Sequence, residues 1–156
     1  MKLEDYLVVR MGRLARDHVA AVVCEEGKLT ELIELVQSGT KTQRMKGSWV
    51  LSGVHSMDSG ILKAHYPVLI NHIRSENVGG VKRELLRCFE NASLDKTTAD
   101  QLILLAMELV TDERQDLAVR YVCYRLLIPL LKGYPELQLE LEAQTELYRL
   151  KFGRFP

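Results

Sequence analysis

A chain of 156 residues, 47% hydrophobic and 27% charged, has ordinary globular composition and the length of about one domain with a substantial core. Its 21 cationic and 21 anionic side chains cancel, so no strong field draws it to nucleic acid or an anionic membrane. No window approaches the roughly 18 apolar residues of a membrane span, and the opening MKLEDYLVVRMGRLARD meets acidic residues at once, unlike a signal peptide. Cys24, Cys88 and Cys123 are odd in number and far apart, which predicts reduced thiols and a cytoplasmic, by default bacterial, setting.

In chain order the apolar spacing predicts helices over roughly 3–25, 28–38, 40–57, 61–75, 77–92, 96–112, 115–132 and 135–151. Gly27, Gly39, Gly60 and Gly133 fall where helices end, and no alternating β-branched stretch interrupts them. Leu29, Leu32, Ile33 and Val36 form one apolar stripe. Tyr66, Leu69, Ile70 and Ile73 form the next, and Ile103, Ala106, Met107 and Val110 a third, each set 37 residues after the last. Ser38, Ser75 and Asp112 close the three stripes at the same offsets. The intervening helices carry an apolar residue followed by a cation at Val9–Arg10, Met45–Lys46, Val81–Lys82 and Val119–Arg120. An internal repeat of helix pairs follows: 3–38, 40–75, 77–112 and 115–151, within one domain spanning 1–156.

The only tryptophan lies in RMKGSWVLSG, residues 44–53. The period aligns Trp49 with Leu85 and Cys123, and Gly53 with Phe89 and Leu127, so a large residue beside a small one replaces Leu beside Phe. This predicts a mostly buried Trp49 whose truncation costs about 3–5 kcal/mol. A phosphate loop would need a preceding strand and a Gly-Lys-Ser or Gly-x-Gly-x-x-Gly pattern, and neither is present.

The helix-pair length, the inter-pair aspartate of VTDERQDLAVR (110–120) and the apolar–cation step resemble the HEAT family of α-helical repeats. That resemblance implies an all-α, armadillo/HEAT-like superhelix of about four antiparallel pairs. MKGSWVLSGVHS, DLAVRYVCYRLL and YPELQLELEAQ are similar to elements of a small bacterial HEAT-like group that carries an adenylosuccinate lyase label. It implies the fold and not the chemistry, because those lyases are several times longer and bear a mobile Ser-Ser-x-Met-Pro-x-Lys-x-Asn loop that is missing here.

His65 and His72 share a helix face but stand seven apart, whereas zinc favours i, i+4 pairs or paired cysteines with a third ligand; no metal or cofactor is expected. The thiols fall at packing positions rather than in an electropositive setting with a histidine base. Glu108, Asp112 and Glu113 cluster at an inter-repeat turn, where caps for the next helix explain them. In LYRLKFGRFP, Arg149, Lys151 and Arg154 mix with Phe152 and Phe155 and read as a helix end with a tail folded back. Net charge by segment is −2 over 1–38, +4 over 39–75, −3 over 76–112 and +1 over 113–156. A HEAT-like DNA repair glycosylase would need cations along its whole groove, and Glu34, Asn71 and Glu108 form no basic row. The reading is an interaction module rather than that enzyme or the lyase. A protein or peptide partner is expected on inner helices at Glu31, Glu34, Asn71 and Glu108, which lie outside the apolar stripes, with nucleic acid and membrane not expected.

Overall fold

The computed structural model describes residues 2–7 and 10–153. Among the described residues it is all helical: α1 (Leu3–Tyr6), α2 (Arg13–Glu25), α3 (Leu29–Ser38), α4 (Lys41–Met57), α5 (Tyr66–Ser75), α6 (Gly79–Arg87), α7 (Lys96–Thr111), α8 (Leu117–Leu130) and α9 (Pro135–Phe152). A single 3₁₀ turn, Lys63–His65, leads into α5. None of these helices is long and apolar enough to cross a membrane.

Local chemistry sets the boundaries. Thr40 caps α4 by accepting the Gln43 N–H at 3.2 Å while Gln43 Oε1 accepts the Thr40 N–H at 2.8 Å. Asp95 accepts the Thr98 N–H at 2.7 Å to start α7, and Pro67 and Pro135 occupy the first turns of α5 and α9. Gly27 and Gly133 follow α2 and α8 at φ +66° and +89°, a conformation only glycine adopts without strain. The helix expected over 3–25 is two: α1 ends at Tyr6 and α2 begins at Arg13, after Gly12 in extended conformation as N-cap. Glycine is a poor helix interior residue and a tolerable N-cap, so the break falls there. The helix expected over 77–92 ends at Arg87, before Asn91 at φ 57°.

The chain divides into two compact units, Met1–Ser93 and Leu94–Pro156. In the first, α4 is the hub: α2, α3 and α6 pack on it, α1 packs on α3, and α5 on α6. Leu32, Val36, Leu51, Val54, Leu69, Ile73, Leu85 and Leu86 are wholly inaccessible there. In the second unit α7 packs on α8 and α9 around Leu102, Ala106, Cys123 and Leu127. Each such leucine or isoleucine stabilises the fold by about 1.5–3 kcal/mol relative to an exposed position. The three stripes on α3, α5 and α7 are buried as expected, with only Leu29 and Met107 at the margin.

The register of the other helices differs from the expected one. The N-caps of α2, α4, α6 and α8 are Gly12, Thr40, Val78 and Asp116. Four residues beyond each cap stand Arg16, Arg44, Lys82 and Arg120, and seven beyond stand Val19, Gly47, Leu85 and Cys123, all of the latter buried. The repeated cation of the second helix pair is therefore Arg44 and not Lys46, and that of the first is Arg16; Val9 lies outside the described residues. Gly47, not Trp49, is the counterpart of Leu85 and Cys123. Its small size admits α3, since a Cβ there would stand 3.0 Å from Val36 Cγ2. The slip arises in the turns. Gly39 alone separates α3 from its successor's cap, Glu76 and Asn77 separate α5 from Val78, and residues 112–115 separate α7 from Asp116.

Candidate functional site

Two of the four aligned cations, Arg44 and Arg120, tie helix ends together. Arg120, buried, donates from Nε and Nη2 to the Val110 carbonyl at 3.0 and 2.8 Å, at the carboxyl end of α7, and lies 3.6 Å from the Tyr148 ring centroid. Such a cation satisfies an orphan carbonyl and faces the negative end of the helix dipole. Burial lowers its pKa, yet a guanidinium remains charged. Arg44 reaches the Gly39 carbonyl at 3.2 Å and also grips Glu76 with two bonds of 3.1 and 3.2 Å. Glu76 is 2% exposed and accepts further bonds from His72 Nε2 at 2.9 Å and from the Asn77 and Val78 N–H groups at 3.1 Å. Burial alone would raise its carboxyl pKa; the bonds from Arg44, Val78 and His72 outweigh burial and hold it below the ordinary carboxylate range. All of its bonding directions are used, so it is a structural cluster.

Trp49 stands elsewhere on α4. It is mostly buried, as expected, but not fully enclosed like Leu85 and Cys123, because α4's innermost positions are taken by Gly47, Val50, Leu51 and Val54. A groove of about 260 Å³ opens beside it, lined also by Met11, Met45, Lys46, Gly80, Arg83 and Glu84. The Arg16 guanidinium lies 5.4 Å from the indole centroid, over Gly53, where a Cβ would stand 3.3 Å from Arg16 Nε. Asp17 holds the same guanidinium at 2.6 and 2.9 Å. Glu84 is almost wholly buried and accepts from Ser52 Oγ at 2.9 Å and Arg83 Nε at 3.3 Å, with Arg87 at 3.6 Å.

A second, polar cleft of about 370 Å³ is lined by Arg16, Ser52, His55, Ser56, Arg87 and Glu90 among others. His55 Nε2 donates to the Glu90 carbonyl at 2.8 Å, which fixes the tautomer; its Nδ1 is buried with no hydrogen-bond partner among the described residues. The groups whose ionisation the fold shifts, such as Glu76, Cys88, Asp112 and Arg120, line neither opening.

Of the residues singled out in the sequence, Glu34, Asn71 and Glu108 are exposed on α3, α5 and α7. Glu31 is half-buried and accepts the Leu3 N–H at 3.1 Å, which pins α1 to α3. His65 closes the 3₁₀ turn rather than lying inside a helix with His72, and His72 is committed to Glu76. No group of three histidine, cysteine or acidic side chains is placed to hold a metal among the described residues. The acidic cluster is dispersed: Asp112 binds the Arg114 N–H and side chain together with Gln115, while Glu113 pairs with Lys151 at 3.4 Å. Asp112 thus caps the turn before α8 and not the helix, and Arg114 and Gln115 depress its pKa. Cys88 and Cys123 are buried and form no disulfide, and burial pushes the Cys88 thiol far up. Arg149 and Lys151 end α9, with Phe152 stacked 5.4 Å from Tyr148; Arg154 and Phe155 lie outside the described residues.

Helices that repeat a buried stripe, with a cation at the same place after each cap, define an α-helical repeat protein. The HEAT repeat domain family matches residues 3–152, and the chain belongs to that family. No curated protein and no solved structure matches it.

Proposed function

We propose that the chain works in the cytoplasm, without a cofactor, as a scaffold that binds a protein or peptide partner on the solvent-facing sides of α3, α5 and α7. Glu34, Asn71 and Glu108 are the proposed contact residues, with Glu31 at the edge where it also holds α1. The observation that carries this reading is the repeat itself: three helices bury the same apolar stripe and each turns one of these polar residues to solvent. The closed bonding of Glu76 and Arg120 supports it as well, since these perturbed groups brace the fold. The test is capture of partners by immobilised chain, with crosslinking and mass spectrometry. The Glu34→Lys, Glu108→Lys double variant should lose the captured partner while keeping its helicity. Undiminished capture, or turnover of adenylosuccinate above about 1 s⁻¹ by the purified chain, contradicts the reading.

A further inference from the structure

The last helix, α9, is apolar on two opposite sides. One side packs inward: of its 18 residues, Leu141, Thr145 and Tyr148 are the buried ones. The other side carries Leu139, Ala143, Leu147 and Leu150, all exposed, with the three leucines at 66%, 58% and 76%. At about 3.6 residues per turn these four fall within about 80° of one another, directly opposite the buried three. Scattered exposed leucines are ordinary on a surface, but a stripe along about 17 Å of one helix has the form of a packing face. A helix with two apolar sides is suited to lie between two partners. Leu147 and Leu150 also line an opening of about 360 Å³, where a side chain from outside can enter.

The charges beside the stripe specify the second partner. Helical spacing puts Glu142 and Arg149 on one flank, and Glu140 and Lys151 on the other. On each flank the acid is nearer the amino end and the cation nearer the carboxyl end. Such a helix is its own complement once reversed. In one antiparallel register, with a two-fold axis at the level of Thr145, Leu139 meets Leu150 of a second copy and Ala143 meets Leu147, small against large. The same register sets Glu140 against Lys151 and Glu142 against Arg149, the flanking pairs that fix orientation between helices. A parallel arrangement would set acid against acid and cation against cation. What selects the orientation is the order of charge along the helix and not a net excess.

Within the chain Arg149 contacts Glu146 at 3.5 Å and Lys151 contacts Glu113 at 3.4 Å. Both are exposed pairs, of a kind that holds neither side chain firmly, so both cations can turn to an incoming helix. With four carboxylates to two cations, α9 does not suit an anionic lipid surface.

We propose that a second copy of the chain docks on this face, forming an antiparallel α9–α9 pair in a closed two-fold dimer. One helix pair of this length makes a small interface, so the dimer exchanges with monomer in the micromolar range. The proposal goes beyond the partner-binding reading and does not rest on it, since Glu34, Asn71 and Glu108 lie on other helices.

The test is sedimentation of the full chain from about 1 μM to about 500 μM, with carbodiimide crosslinking and mass spectrometry. The natural chain should pass from one to two chain masses and no further, because a two-fold interface closes. Leu147→Ser with Leu150→Ser should weaken the dimer by about tenfold or more, with circular dichroism unchanged. Glu140→Lys with Glu142→Lys should weaken it as well, and adding Arg149→Glu and Lys151→Glu to that variant should restore it. Carbodiimide joins a carboxylate to an amine only in direct contact, and Glu140 and Lys151 of one helix stand about 17 Å apart along its axis. A Glu140–Lys151 crosslink in the dimer band therefore comes from two chains and is expected. A monomer at every concentration, open-ended oligomers, or a dimer indifferent to the leucine variants overturns the proposal. So does a dimer without that crosslink, or one that the Glu140→Lys, Glu142→Lys variant leaves unweakened. If partner capture still depends on Glu34 in those cases, the scaffold reading stands and only the α9 assignment falls.

Discussion

At the start of α4 Arg44 meets Glu76 in a cluster where every carboxylate direction is bonded; five residues on, Trp49 faces an opening flanked by Lys46 and Arg83. Both regions gather cations around a carboxylate. Around Glu76 the donors converge from α4, α5 and the turn before α6, water is excluded, and the arrangement has one job, which is to hold those elements together. Around Trp49 the carboxylate Glu84 is turned inward and held by Ser52 and Arg83, and the indole lines an opening. The contrast separates bonding that closes a fold from bonding that prepares a surface.

The largest effect should come from opening the closed cluster. Arg44→Ala leaves Glu76 buried without its main counterion and should cost about 3–5 kcal/mol by urea denaturation, whereas Arg44→Met with Glu76→Leu should recover most of that loss. A cost under about 1 kcal/mol for Arg44→Ala would mean that water reaches Glu76. The pH dependence sharpens the point. Because the folded-state pKa of Glu76 is depressed, its stabilisation is complete above the unfolded value of about 4.3 and disappears as pH falls through the lower folded value. The stability gap between the natural chain and Glu76→Gln should be widest near neutrality and shrink below about pH 4.

Next in size is the comparison of Trp49 with Leu85, the residues a constant period would equate. Leu85→Ala should cost about 2–5 kcal/mol, and Trp49→Ala less than the roughly 3–5 kcal/mol of a fully enclosed aromatic, since part of the indole stays exposed. A Trp49→Ala loss above about 5 kcal/mol in urea denaturation would mean a fully enclosed indole and no groove beside it.

These two residues also show what could be read without coordinates. Apolar periodicity gave the helical class, the stripes on α3, α5 and α7, and their 37-residue recurrence, because buried helix faces repeat whenever the helices do. Turn length has no such signature. Turns 39, 76–77 and 112–115 differ in length, and each change slides the following helix against a fixed count, so that Gly47 rather than Trp49 corresponds to Leu85. The capping box at Thr40–Gln43 was the signal that would have set the register, and it places Arg44 four residues beyond the cap. Glu31 carried no hint of its bond to Leu3, since a contact between residues 28 apart depends on where α1 settles. Exposed Glu34, Asn71 and Glu108 were readable as positions off the stripe, and their chemistry with a partner is the proposal.

Smaller effects separate the groove from the fold. Gly80→Ala should stabilise the chain by about 0.5–1 kcal/mol, because no neighbour is displaced and a helix-weakening glycine is removed. Destabilisation would reveal a packing role for Gly80. Glu34→Lys, on an exposed turn of α3, should move the midpoint by no more than about 0.5 kcal/mol.

The chain has one tryptophan, so its fluorescence reports on one place. The direct measurement is quenching of native Trp49 by iodide and by caesium at matched ionic strength. An indole that lines an opening should be quenched by both ions. Quenching by neither ion would contradict an open groove at Trp49.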